Sequence, residues 1–255
     1  MSEKVYYEQP LNEKIRNLLR LEFLFDQLYA SLDGKTPWDS RAAVVGLLDV
    51  YSIISRADIK SELLKELERY STLLEALEKN PNVDNSKLSS VLDQIDVYID
   101  RLHGMTGPVA GELRQNELLN SVRQRISIPG GACEFDLPSY HFWLSRPTEQ
   151  RVADLKQWLA PFEVIRASIS LIVRLVREST PPTQQTAVGG FYQQTLDPNS
   201  PTQLIRVGLP RSFPLYAEIS GGKHRFSIRF MKLNVYDRDV ATNDDVVFDL
   251  FCCTI

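Results

Sequence analysis

The chain has 255 residues, enough for one large domain or two small ones. Its hydrophobic and charged fractions, 43% and 24%, are those of an ordinary globular protein, which excludes a wholly disordered chain. The formal net charge of -4 gives no reason to expect a nucleic-acid partner.

Three cysteines, Cys133, Cys252 and Cys253, do not make a disulfide framework, since two are adjacent and one is left over. That usage suits a reducing compartment. The opening MSEKVYYEQP has no apolar core of a signal peptide. The longest strongly apolar run, Ile169–Val176, is short and broken by Arg174, so no membrane span is expected.

In chain order, Asn12 is a candidate N-cap for a long helix to about Ser31, with Ile15, Leu18, Leu19, Phe25 and Leu28 as its apolar stripe. Arg16 and Arg20 share one flank four residues apart. They are either a solvated edge paired with Glu13 or Glu22 or part of a partner surface. Pro37 and Trp38 read as a loop, followed by a helix from Ser40 to about Ile54. Arg56 sits near its end, where a cation is favoured by the helix dipole. A third helix spans Asp58 to about Lys79, with Leu63, Leu67, Tyr70, Leu74 and Leu77 at heptad-like spacing.

Asn80-Pro81-Asn82 breaks the chain, and Asp84 caps a fourth helix that Gly104 and Gly107-Pro108 stop. A fifth helix is expected from about Val109 to Arg125. Around Pro129 and Gly130-Gly131 the flanks read as short strands or a tight connection. Two more helices, Thr148 to Leu159 and Phe162 to Glu178, precede Pro181-Pro182. The composition then changes to short β-branched and aromatic runs: Ala187–Gln194, Leu204–Leu209, Leu215–Ser220, Arg225–Leu233 and Val246–Phe251. The expected class is α+β, with a mainly helical domain over 1–180 and a β-rich domain over 181–255. Residues 126–145 are the part of the helical domain placed to pack with the β domain.

Within Ser220–Leu233, SGGKHRFSIRFMKL, side chains of a strand alternate faces. Phe226, Ile228 and Phe230 then share a core face, and Lys223, Arg225, Ser227 and Arg229 point the other way. Arg225 and Arg229 are roughly 13 Å apart at about 3.3 Å per residue. Gln203–Leu233 carries Arg206, Arg211, Lys223, Arg225, Arg229 and Lys232 against Glu218 alone. Two readings stay open: a solvated face that protects a sheet edge from aggregation, and a binding face for an anionic partner. A nucleic-acid module is the alternative partner class, but it would interleave exposed stacking aromatics among the arginines.

Recognisable catalytic chemistry is not found. Lys223 follows Gly222, but Ala217 and His224 stand where a phosphate loop needs glycine and Ser/Thr. His103, His141 and His224 are far apart, and no Cys or His pair has ligand spacing, so no metal or other cofactor is expected.

Several stretches resemble the ZapD family of Z-ring-associated division proteins. They are PLNEKIRNLLRLEFLF at Pro10–Phe25, SELLKELER at Ser61–Arg69, VRQRISIPGGACEFDLPSYHFWL at Val122–Leu144, GGFYQ at Gly189–Gln193, YAEISGGKHRFSIRFM at Tyr216–Met231 and FDLFCC at Phe248–Cys253. They cover nearly the whole chain in the family's order. The departures are the lengths of Asp33–Ser55 and Asn234–Asp245 and the terminal Thr254-Ile255. The resemblance implies a non-enzymatic cytoplasmic adaptor at midcell. It would bind the partly acidic C-terminal tail of the tubulin-like protein FtsZ and, as a homodimer, cross-link FtsZ filaments. It places the tail pocket at Arg225 and Arg229 with Arg56 from the helical side, and Lys223 and His224 adjoin them. It assigns the dimer contact to the helical domain, with Arg16, Arg20 and His141 as its candidate residues.

Overall fold

The computed structural model describes residues 3–56, 58–78, 83–199 and 201–254. The elements run β1 (Lys4–Pro10), α1 (Glu13–Leu32), α2 (Pro37–Ile54), α3 (Ile59–Glu75), α4 (Asn85–Gly104), α5 (Glu117–Arg125), α6 (Pro138–Ser145), α7 (Thr148–Leu159) and α8 (Glu163–Glu178). Then come β2 (Thr183–Ala187), β3 (Phe191–Thr195), β4 (Leu204–Pro210), β5 (Tyr216–Gly221), β6 (Arg225–Lys232), β7 (Val240–Ala241) and β8 (Val246–Cys253). The fold is α+β. The chain groups into two compact units, residues 20–172 and residues 1–19 with 173–255.

In the helical unit, local capping chemistry sets the starts. Asp84 accepts from the Ser86 and Lys87 N–H groups at 3.1 and 3.2 Å and so opens α4 as expected. The Asn80-Pro81-Asn82 break lies outside the described residues, as does Lys79. The Pro37-Trp38 loop is instead the first turn of α2. Thr36 and Asp39 form a reciprocal capping box, with Thr36 N–H to Asp39 Oδ2 at 2.8 Å and Asp39 N–H to Thr36 Oγ1 at 3.2 Å. Pro37 at N1 forfeits a donor that would have no partner anyway.

The expected fifth helix is interrupted. A 3-10 turn, Gly111–Gln115, precedes Asn116, whose side chain accepts the Leu119 N–H at 3.0 Å and starts α5. After Gly131 the chain makes a tight connection and then the short helix α6, with Pro138 at its N-terminus. On α3 the heptad-like seam holds at Leu63, Leu67 and Tyr70, all fully buried, and fades at Leu77, which is exposed. Arg151 is buried at the start of α7. It donates to the Ser40 hydroxyl and the Lys35, Leu144 and Arg146 carbonyls, which ties the starts of α2 and α7 to the end of α6.

The other unit is two antiparallel sheets, ordered β1-β4-β8-β2 and β3-β6-β5, with β7 added to β6. The expected boundary near Pro181 shifts because β1 pairs with β4 from Lys4↔Pro210 to Pro10↔Leu204, which brings the N-terminus into the β-rich unit. Asn12 caps α1 as expected, accepting the Ile15 N–H at 2.8 Å. The expected run Ala187–Gln194 is two strands, β2 and β3, on different sheets. They are separated by Gly189 and Gly190, whose φ angles of 57° and 74° are left-handed. The core between the sheets holds Ile205, Val207 and Leu209 of β4, Phe226, Ile228 and Phe230 of β6 and Val246, Phe248 and Leu250 of β8. The Phe230 and Phe248 rings lie 5.1 Å apart.

Gly190 carries a steric demand as well as a conformational one, because an added Cβ would sit 2.3 Å from the Thr242 carbonyl oxygen. Gly190→Ala is therefore expected to destabilise the protein by at least about 1–3 kcal/mol, the usual cost of a strained backbone position. Gly222→Ala, with nothing within 4 Å of its new methyl, should stay within about 0.5 kcal/mol of the parent. Denaturant unfolding of the two variants checks the contrast.

Candidate functional site

The site begins with the pleat of β6. Its burial alternates: Phe226, Ile228 and Phe230 are buried, Arg225 and Arg229 are exposed, and Ser227 lies between them. Once the aromatic layer is inside, the arginines have no choice of face. Registry extends this outer face over the neighbouring strands. Thr195, Gln193 and Phe191 of β3 stand opposite Arg225, Ser227 and Arg229. Ser220 and Glu218 of β5 flank Ser227 and Arg229 on the other side.

The β5–β6 hairpin closes through Gly222, Lys223 and His224, held by the Gly222 N–H to Arg225 carbonyl bond at 3.1 Å. Lys223, His224, Arg225 and Arg229 thus gather around one open cavity of about 530 Å³ that Phe191 and Gln193 also line. At the far end, the Tyr216 hydroxyl donates to Asp239 at 2.5 Å and pins the loop after β6. That carboxylate, together with partial burial, pushes the Tyr216 phenol up to about 12. Asp239 is held below the usual carboxylate range by the Asn234 N–H first and then by Tyr216.

The six basic residues counted between Gln203 and Leu233 separate into two groups. Arg206 stacks 3.7 Å above the Tyr6 ring, and its Nε lies 3.1 Å from Glu8. Arg177 grips the same carboxylate with two bonds of 2.8 Å. Arg211 pairs with Glu3 at 3.1 Å and Lys232 with Asp244 at 3.2 Å. Arg206, Arg211 and Lys232 thus each have a carboxylate partner within the molecule. Lys223, Arg225 and Arg229 form no ion pair among the described residues, and they are the three that share the cavity. The face is not free of aromatics, as the β6 alternation alone implied. Phe191, 43% exposed, lies under Arg229 with 5.9 Å between the guanidinium carbon and the ring centroid. Nothing in β6 itself signals Phe191, because it arrives through strand pairing.

The remaining candidates lie elsewhere. Arg56 follows α2 in the helical unit, exposed and without an ion pair among the described residues. Arg16 pairs with Glu13 at 3.1 Å, the solvated-edge reading, while Arg20 one turn later is exposed and has no ion pair among the described residues. His141 on α6 has its Nε2 3.9 Å from the Glu134 carboxylate. It borders an apolar cleft of about 540 Å³ with Trp38, Phe135 and Leu144. Trp38 and Phe135 are 75% and 82% exposed, an unusual state for such large apolar groups.

No helix among the described residues is long and apolar enough to cross a membrane. The profile of the family described as "ZapD: Cell division protein" matches residues 19–229. A "Cell division protein ZapD" of Methylococcus capsulatus is 43% identical over 255 residues, covering 100% of both chains. Proteins of the same description from Coxiella burnetii and Aromatoleum aromaticum are 40% and 39% identical, each covering 98% of this chain and 98% of its own length.

The separation of structural from unpaired cations has a thermodynamic signature. Arg206→Ala removes a partly buried ion pair and the stacking on Tyr6 and is expected to cost about 1–3 kcal/mol. Arg225→Ala and Arg229→Ala should each stay within about 0.5 kcal/mol of the parent. Thermal melts of the three variants provide the measurement.

Proposed function

We propose, from the premise that this chain belongs to the ZapD family of cell division proteins, that it is a non-enzymatic adaptor for FtsZ. In this reading it binds the C-terminal tail of FtsZ on the basic face of β6 and, as a homodimer, cross-links FtsZ filaments in the cytoplasm at midcell. The observation that carries the reading is that Lys223, Arg225 and Arg229, gathered around one open cavity of a mildly acidic chain, form no ion pair among the described residues. Arginine presents a rigid fork of donors to carboxylates. Phe191 offers an apolar surface beside that fork for non-acidic tail side chains. Arg56 and His224 are the further tail contacts in this reading, and no cofactor takes part.

A disordered tail loses entropy when it is ordered, so a single site is weak. Dimerisation supplies two sites, and a filament displays many tails, so weak contacts add up to a cross-link by local concentration. The proposed dimer contact lies on the helices and involves Arg16 and Arg20 of α1 and His141 of α6. The exposed Trp38 and Phe135 beside His141 support an interface there.

Arg229→Glu is expected to abolish FtsZ cross-linking and leave the fold intact. Losing a charge-assisted contact costs about 1.5–3 kcal/mol, and about 1.4 kcal/mol is already tenfold in affinity. Ser227→Ala should do little, and cross-linking by the parent should weaken as salt rises. Co-sedimentation with full-length and tail-deleted FtsZ, beside a melt of each variant, tests this. Full cross-linking by folded Arg229→Glu protein would reduce the face to a solvated edge.

The dimer is tested separately. Light scattering of the intact chain should give a dimer, and the Arg20→Glu/His141→Glu variant should lose cross-linking while still binding an isolated tail peptide. A monomeric parent protein sinks the cross-linking mechanism.

A further inference from the structure

Lysines of this chain differ in what surrounds them. Lys4 pairs with Asp249, Lys232 pairs with Asp244 at 3.2 Å, and Lys87 lies 3.8 Å from Asp84. The exposed Lys156 borders a cavity that Asp33 and Glu163 also line. The exposed Lys65 stands three residues from Glu62 and from Glu68 on α3. An anion that approaches any of these amines meets a carboxylate. Lys60 is held differently, donating to the Met105 carbonyl at 2.7 Å. Lys223 is exposed and forms no ion pair among the described residues. It lines an open cavity of about 530 Å³ with His224, Arg225 and Arg229, and no aspartate or glutamate is among the described residues that line it.

The hairpin fixes the base from which that amine reaches. The Gly222 N–H bonds the Arg225 carbonyl at 3.1 Å and the Leu196 N–H bonds the His224 carbonyl at 2.8 Å, so the main chain is tied on both sides of Lys223. Ser220 and Ser227, opposite each other on β5 and β6, line the same cavity. A guanidinium presents its fork of donors to phosphate as well as to carboxylate. A cleft of one sign also raises the local concentration of reagents of the other sign. A phosphate held by arginines beside a primary amine is the arrangement that acyl transfer from an acyl phosphate requires, because it brings the amine and the acyl carbon together.

We propose that Lys223 is a site of acylation by anionic acyl phosphates, and that its acylation weakens the basic face. Arg225 and Arg229 take the phosphate oxygens. Lys223, in its neutral form, attacks the acyl carbon. The bond from that carbon to the phosphate oxygen breaks, and its electron pair leaves with the phosphate. The N–H proton released as the amide forms goes to the departing phosphate. The products are the Nζ-acyl amide and hydrogen phosphate, with no third reactant. The amide carries no charge, so one of the three unpaired cations of the cavity is lost. The weakening rests on the tail-binding reading; the acylation does not.

The test incubates the full-length protein with acetyl phosphate and follows each lysine by peptide mass spectrometry. Lys223 should be acetylated about tenfold or more faster than the exposed Lys35, Lys65 and Lys156, the gain expected of a cleft of one sign. Inorganic phosphate should slow the reaction at Lys223 and leave the other three unchanged. N-acetoxysuccinimide, which is uncharged, should show no such preference. Arg225→Gln/Arg229→Gln should bring Lys223 down to the rate of the other three; if that variant unfolds, competition by inorganic phosphate decides. A Lys223 that reacts no faster than the others, or just as selectively with the uncharged reagent, overturns the proposal. The acetylated protein should then bind a synthetic peptide of the FtsZ C-terminal tail about tenfold more weakly by fluorescence anisotropy. Selective acetylation with undiminished peptide binding overturns the weakening. A peptide that fails to bind even the unmodified protein overturns the tail-binding reading and leaves the acylation site standing.

Discussion

The packing of Phe226, Ile228 and Phe230 against Phe248 and its neighbours is the constraint on which the basic face depends. A pleated strand cannot turn one side chain without turning all of them. The aromatic layer therefore places Arg225 and Arg229 at the surface regardless of their own interactions, and only a register slip, which would expose three large apolar groups, could withdraw them. Stability and charge display are thus two faces of one eight-residue strand.

The same economy separates this face from the opposite sheet. There Glu8 of β1 is gripped by Arg177 and approached by Arg206, so opposite charges on β1, β4 and α8 neutralise one another. Such pairs fix the course of β1 across β4. On β6 the guanidinium groups of Arg225 and Arg229 have no carboxylate partner among the described residues, and Glu218, the one in register with Arg229, is turned toward Tyr216. An arginine without an internal partner keeps its full hydrogen-bonding capacity for something outside the molecule.

Much of this was legible in the sequence because it is local. The caps at Asn12 and Asp84 and the alternation of β6 are patterns within a few residues. The capping box of Thr36 and Asp39 was equally local, yet Pro37-Trp38 reads as a loop if proline is not recognised as a first-turn residue. Proline at the start of α6 hid that helix in the same way, and Gly189-Gly190 marked a division between β2 and β3 that the continuous run of strand formers concealed. β1 could not be read, because its partner β4 lies nearly the whole chain away. Which cations are spent internally was hidden for the same reason: Glu3 and Glu8 sit at the opposite end of the sequence from Arg211 and Arg206. Phe191 joins the site only through pairing, a relation that no motif in GGFYQ announces.

The course of β1 also bears on the order in which the molecule is made. The helical unit is complete in sequence at residue 172, whereas β1 waits for β4, which begins at Leu204, and for β8, which ends at Cys253. Domains form largely as they emerge during synthesis, and at ~5–20 residues per second the remaining chain takes on the order of ten seconds more. A nascent or truncated chain can therefore possess a finished helical unit while it has neither a partner for β1 nor a basic sheet. The charged face lies on strands that all follow the helical unit in sequence, so the topology itself withholds that surface from products that stop before β6.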